Sequence, residues 1–74
     1  MIVKLQRPLA SNRANPPWLI YDRDHSFQVL VAAERLPAHV LKAMGDRNVG
    51  YFEVAARNGQ VTQWGRMMTD QHWR

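Results

Sequence analysis

The segment "YFEVAARNGQVTQWGRMM", residues 51 to 68, sets an Asn58-Gly59 pair between two arms that alternate large and small residues. Asn-Gly is the strongest short-range signal for a two-residue type I′ turn, since both central residues need positive φ and these two types adopt it at least cost. A β-hairpin is therefore expected, with Arg57 paired to Gln60, Ala55 to Thr62, Glu53 to Trp64 and Tyr51 to Arg66. In that register Phe52, Val54, Ala56 and Val61 face a core, and Tyr51, Glu53, Arg57, Trp64 and Arg66 face outward. A three-residue loop sends Trp64 to the core side instead; the shorter loop is preferred because burying Trp64 that way also drags Arg66 inward.

The hairpin must be completed by the rest of a short chain. With 74 residues there is one domain, 1–74, and one core. A chain of this length buries about 60 to 65% of its unfolded surface. There is no cysteine, so stability has to come from packing and not from disulfides or thiolate metal sites. An apolar fraction of 46% with 22% charged residues is that of a globular domain and not of a disordered tail.

Along the chain, "IVKLQ" (2–6) alternates Val3 and Leu5 against Lys4 and Gln6, the pattern of a half-buried strand. "RPLASNRANPP" (7–17) holds three prolines and is read as a mobile loop with Arg7 and Arg13 making a positive tip. "WLIYD" (18–22) and "FQVLV" (27–31) read as two strands joined by the polar turn "RDHS". If Tyr21 faces Phe27, then Leu19, Tyr21, Phe27 and Val29 share one face and Trp18, Ile20, Gln28 and Leu30 the other. Pro37, Val40, Leu41 and Met44 recur at helical spacing, giving a short helix over 37–44 stopped by Gly45. It is too short to be stable unless it packs on the sheet. The tail 69–74 is expected to fray, although the Trp73 ring should dock somewhere.

These elements predict an α+β fold of βββαββ order, an antiparallel sheet of four to five strands with one short helix on one face. The expected core is Val3, Leu5, Leu19, Tyr21, Phe27, Val29, Val40, Leu41, Met44, Phe52 and Val54.

Chemistry-bearing patterns are sparse. Asp22-Arg23-Asp24-His25 sets two carboxylates beside an imidazole, but the spacing matches no closed metal site and Asp is common in turns for local hydrogen bonding. It is read as a turn, and no metal or cofactor is expected. His39 is read as solvated, and His72 has no evident partner. Ser11, Ser26, Thr62 and Thr69 lack a nucleophile-elbow setting, and Glu34 and Glu53 belong to different elements. A domain this small also has little room for a substrate pocket. The expectation is a non-enzymatic protein with no small-molecule substrate.

Ten Lys+Arg against six Asp+Glu give a net charge of +4, which favours acidic or phosphate-rich partners through the long-range field. Eight of the ten cations are Arg, an excess that suits bidentate phosphate contacts but that a GC-rich genome also produces. No secretory leader is legible at the N-terminus and no stretch approaches a membrane span, so a cytoplasmic protein is expected. Three Trp, two Tyr, eight Arg and four Met are a heavy load of interface-prone types. The first expectation is therefore a protein-binding module that occupies the surface of a partner, or of a second copy, through Trp18, Tyr51, Trp64 and Arg66 on the sheet face opposite the helix. The alternative is a nucleic-acid-binding protein using Arg7, Arg13, Arg57 and Arg66 around an aromatic sheet face, a reading that Glu53 on the same face opposes. In size and in its lack of catalytic chemistry the chain resembles small accessory proteins of phages and plasmids, including inhibitors of host defence. That likeness attaches to no particular residue.

Overall fold

The computed structural model describes residues 1–9 and 13–73, without the side chain of His72. Residues 10–12 of the 7–17 loop, Ser11 among them, and residue 74 of the tail lie outside the described part, as does the expectation for the His72 side chain. Five strands, β1 (Ile2–Gln6), β2 (Trp18–Asp22), β3 (Gln28–Val31), β4 (Val49–Arg57) and β5 (Gln60–Met68), form an antiparallel sheet with one helix, α1 (Ala38–Met44), between β3 and β4 in sequence. The α+β class and the antiparallel sheet follow the sequence reading. Short 3-10 turns at Ala33–Arg35 and Asp70–Trp73 complete the chain. Among the described residues no helix is long and apolar enough to cross a membrane.

The spatial order is β3-β2-β1-β4-β5, so the first strand of the chain becomes the centre of the sheet. Its alternation explains why it can sit there: Val3 and Leu5 are fully buried while Ile2, Lys4 and Gln6 face the other side. Leu5 lies opposite Ile20 on β2 and Gly50 on β4, and Val3 lies opposite Phe52. Directly opposite residues share a face. The core side of the sheet therefore carries Val3, Leu5, Trp18, Ile20, Phe52 and Val54, capped by Leu36, Val40 and Met44.

The buried helical stripe is Leu36, Val40 and Met44, spaced by four, with Leu36 contributed by the turn before α1. Leu41, expected in the core, is 40% exposed. A helix of seven residues presents barely two turns, and at about 100° per residue Leu41 is carried round to the flank once Val40 faces the sheet. Pro37, the expected first residue of the helix, stands at the N-cap in extended conformation, so the helix starts one position later than expected.

The β2 strand is inverted relative to expectation. Trp18 and Ile20 are buried, whereas Leu19 and Tyr21 are half-buried on the opposite face. The reason lies in the hairpin closure. The Asp22 amide donates to the Phe27 carbonyl at 3.0 Å, and Tyr21 pairs with Gln28 and Ile20 with Val29. The loop is thus one residue tighter than a Tyr21–Phe27 pairing implies, and a one-residue slip exchanges the faces. Both faces of β2 are apolar, so local sequence did not choose between them. Val29 and Phe27 remain on the core side, half-buried.

Gly50 marks the closest approach in the core. A Cβ built there meets Met44 Sδ at 2.5 Å and Phe52 Cε1 at 3.1 Å, so the glycine makes the space into which the helix's last buried side chain fits. Overpacking of this kind typically costs about 1–3 kcal/mol. Gly50→Ala is expected to lower unfolding stability by that amount in denaturant titration with an unchanged slope; a neutral result means Met44 has room to move.

Candidate functional site

The closing hairpin determines where the candidate residues lie. Asn58 and Gly59 have φ of 54° and 77°, the two positive values of a type I′ turn, and Arg57 pairs with Gln60 as expected. Beyond the turn β4 alternates regularly, but β5 does not. Ala56 pairs with Val61, Ala55 with Gln63, Val54 with Trp64 and Phe52 with Met67. One extra β5 residue is accommodated at Thr62, whose hydroxyl donates to the Ala55 carbonyl at 3.2 Å, and another around Gly65 and Arg66.

These bulges place Val61, Trp64 and Met67, three residues apart, on the core side of a strand. Trp64 therefore faces inward with the two-residue turn in place, and its ring meets Phe52 edge-on at 5.7 Å. The second bulge returns Arg66 to an exposed position. At Gly65 a Cβ would come within 2.9 Å of the Glu53 carbonyl oxygen, so the kink requires a residue without a side chain. Its own carbonyl lies 3.1 Å from Nε2 of His39. His39, expected to be solvated only, ties α1 to the edge strand.

The four expected partner-binding residues are not brought together. Trp18 is 5% exposed in the core, which corrects its expected exposure opposite the helix. The cause is the β2 register described above. Trp64 lies half-buried on the helix side, Tyr51 half-buried on the other face, and Arg66 is exposed at the bulge. Of the four arginines of the alternative reading, Arg13 and Arg57 are exposed along with Arg66. Arg7 is committed to the fold. Its Nη2 donates to the Gly45 carbonyl at 2.7 Å and its Nε to the Arg47 carbonyl at 3.1 Å, while the guanidinium stacks 4.6 Å from the Trp18 ring. A planar fork that satisfies two carbonyls after a helix end and covers an indole leaves little of itself for phosphate.

Two surfaces stand out. On the helix side, the edge strands β3 and β5 approach one another and line a single open cleft of about 500 Å3. Ile20, Val29, Val31, Val61 and Trp64 form its apolar walls, with Gln60 at one rim and Arg35 as the only ionised side chain among its lining residues. That residues from opposite ends of the sheet order share one cleft shows how strongly the sheet curls.

On the other face the strand register aligns a row across all five strands: Gln28, Tyr21, Lys4, Tyr51 and Met68. Trp73, brought over by the Asp70–Trp73 turn, packs edge-on against Tyr21 at 5.8 Å and tilted against Tyr51 at 5.5 Å. Lys4 Nζ sits 5.7 Å from the Tyr21 ring centroid, within cation–π range. His25, at φ 58° in the β2–β3 loop, stacks on Tyr21 at 4.6 Å. The same loop is tied by Asp22, which accepts from the Ser26 hydroxyl at 2.5 Å and the Phe27 amide at 3.0 Å. The Ser26 bond first, then the Phe27 bond, hold the Asp22 carboxyl below its ordinary value of 3.8. The carboxylate of "DRDH" thus closes a turn, as its sequence suggests.

The sequence reading missed the cleft because it arises from sheet curvature, which no local pattern encodes. The aromatic row was half legible, since Tyr51 was placed on the correct face and Trp73 was expected to dock. Compared with protein-family models, curated proteins and solved structures, the chain matches none. Trp64, like Trp18, departs from its expected exposure: Trp64→Ala removes a half-buried ring from Phe52 and from the cleft, and is expected to destabilise the fold by about 2 kcal/mol. An unchanged thermal midpoint in circular dichroism places the ring outside the core.

Proposed function

We propose that the protein is a non-enzymatic binding module that acts by occupying the surface of a protein partner, and that the cleft between β3 and β5 is the contact site. The observation that supports this most is the pairing of apolar walls, Val29, Val31, Val61 and Trp64, with one cation, Arg35, at an opening of about 500 Å3. Aromatic and arginine side chains beside apolar residues are the usual make-up of interface anchors. The net charge of +4 adds attraction for an acidic partner. An accessory or inhibitor protein of the kind that phages and plasmids encode has this character, and the same cleft serves such a role.

Panning a random peptide display library on the full chain tests the reading. Arg35 is exposed in a 3-10 turn, so Arg35→Glu should leave the thermal midpoint unchanged while weakening the selected ligands by about tenfold, roughly 1.4 kcal/mol. Arg57→Ala, next to the distal turn, should leave binding unaltered. Failure to enrich any ligand, or equal loss in both variants, removes the cleft as the contact site.

A second reading, single-stranded nucleic acid on the opposite face, is favoured by the row of Tyr21, Tyr51 and Trp73 about Lys4, since stacking on aromatic rings tolerates any base. It ranks behind because Trp73 already lies against both tyrosines and because exposed Glu53 shares that face with Tyr51. Phosphate contacts release counterions, so on this reading affinity for oligonucleotides in anisotropy titrations falls steeply between about 50 and 200 mM salt. Arg57→Ala and Arg66→Ala should then weaken it alike for all sequences. Absence of binding at about 50 mM salt, or binding indifferent to salt, excludes this reading.

A further inference from the structure

We infer that the free edge of β3 takes up an extended, acidic segment of the partner protein as a sixth strand, whose inward side chains enter the cleft. This inference rests on the cleft reading above and specifies how the partner is held.

The two edges of the sheet differ in what they offer. Along β5 the ladder is interrupted by two bulges, the Gly65 carbonyl is taken by His39, and Arg66 adds a charge. Bulges and charges are the devices that keep an edge from pairing with another chain. Along β3 none of them is present. Gln28–Val31 runs in unbroken register against β2 and contains no charge, proline or glycine, and Leu30 is 62% exposed.

Backbone geometry fixes which groups are on offer. The Asp22 amide donates to the Phe27 carbonyl, which makes that a hydrogen-bonded pair. Alternation along an antiparallel ladder then turns the N–H and C=O of Ile20 and Val29 toward each other, and those of Gln28 and Leu30 toward the open edge. A strand of four residues spans roughly 13 Å. It presents two donors and two acceptors to an added segment, the mode by which extended peptides augment exposed sheet edges.

Side chains and charge specify the occupant. Val29 and Val31 face the cleft, so a strand laid beside them continues that wall and sets its own alternate residues toward Val61 and Trp64, which calls for apolar residues there. Arg35 follows β3 in the chain and lines the cleft without a carboxylate beside it among the lining residues, so it suits an acidic residue at the end of the segment. A second copy of this chain brings the same +4 charge and is disfavoured by repulsion.

The test uses the full chain, labelled for amide NMR, and a synthetic peptide of sequence Glu-Val-Thr-Val-Thr-Val-Glu with blocked ends. Addition up to about 1 mM should slow exchange of the Gln28 and Leu30 amides by at least about tenfold. Leu30→Pro deletes an outward N–H at an edge, where proline is tolerated, and should abolish the effect with the fold retained. Methylating the peptide's alternate amides should do the same from the ligand side, should the proline variant fail to fold. Arg35→Glu should reverse the preference in favour of a peptide with Lys at its ends. No binding at about 1 mM, equal binding of acidic and basic peptides, or full binding of the methylated peptide overturns the inference. So does protection of both amides in the free protein with sedimentation as a dimer, which assigns the edge to a second copy. Shifts at Val61 and Trp64 without protection at Gln28 and Leu30 also overturn strand addition, while leaving the cleft as the contact site. Loss of the cleft reading itself shows separately, as failure of peptide selection.

Discussion

One geometric constraint governs this molecule: a single helix of seven residues has to close the core of a five-stranded sheet. Such a helix is about 10 Å long, while five flat strands at about 4.8 Å spacing extend nearly twice as far. The sheet must therefore bend over its own core. Bending is concentrated in β5, where two extra residues shorten the strand against a regular β4. Val61, Trp64 and Met67 consequently reach the inner side at every third residue, and the sheet edges converge on a shared cleft. Helix α1 covers the part of the core around Phe52 and Gly50, and what it leaves uncovered is the opening between β3 and β5.

The helix can serve this purpose only if it is held in place, because Gly45 closes its C-terminal end but no side chain caps its N-terminal one. Its N-cap is a proline without a side-chain hydrogen bond. The anchoring comes from elsewhere. Arg7, at the end of the central strand, binds the carbonyls of Gly45 and Arg47 after the helix and stacks on Trp18, and its own amide donates to the Asn48 carbonyl at 2.8 Å. His39 fastens the other flank to the bulge in β5. Trp18 and Arg7, which sequence alone marks as interface or nucleic-acid candidates, are thereby drawn into the fold. Neither is left open on the surface as the edge of β3 and the cleft beside it are.

The opposite face follows a different rule. With no second helix to cover it, β1, β2 and β4 would leave Tyr21 and Tyr51 open to water beside Lys4. The short turn carrying Trp73 lays one large ring across both. Aromatic pairs of this kind contribute about 0.5–1.5 kcal/mol beyond the area they bury, a useful increment in a chain with one small core. Cover on this side and an unguarded edge on the other make the two faces unequal as binding surfaces.

Local chemistry made much of the fold legible. Asn58-Gly59 allowed only one kind of turn, the alternation of Val3 and Leu5 placed β1's inner face, Phe52 and Val54 did the same for β4, and the change from period two to a helical stripe located α1 around Val40 and Met44. Each is decided by residues within a few positions of one another, through φ preference or through the alternation of side chains. What remained open was decided by contacts between distant segments. Trp18 rather than Tyr21 entered the core because both faces of β2 are apolar and the pairing of Ile20 with Leu5 and Val29 selected one. Trp64 turned inward through bulges that answer to sheet curvature, and the cleft exists only because β3 and β5, at opposite ends of the strand order, curl toward each other. A sequence specifies which residues prefer to be buried, but which of two equivalent faces is buried depends on what the rest of the chain places against it.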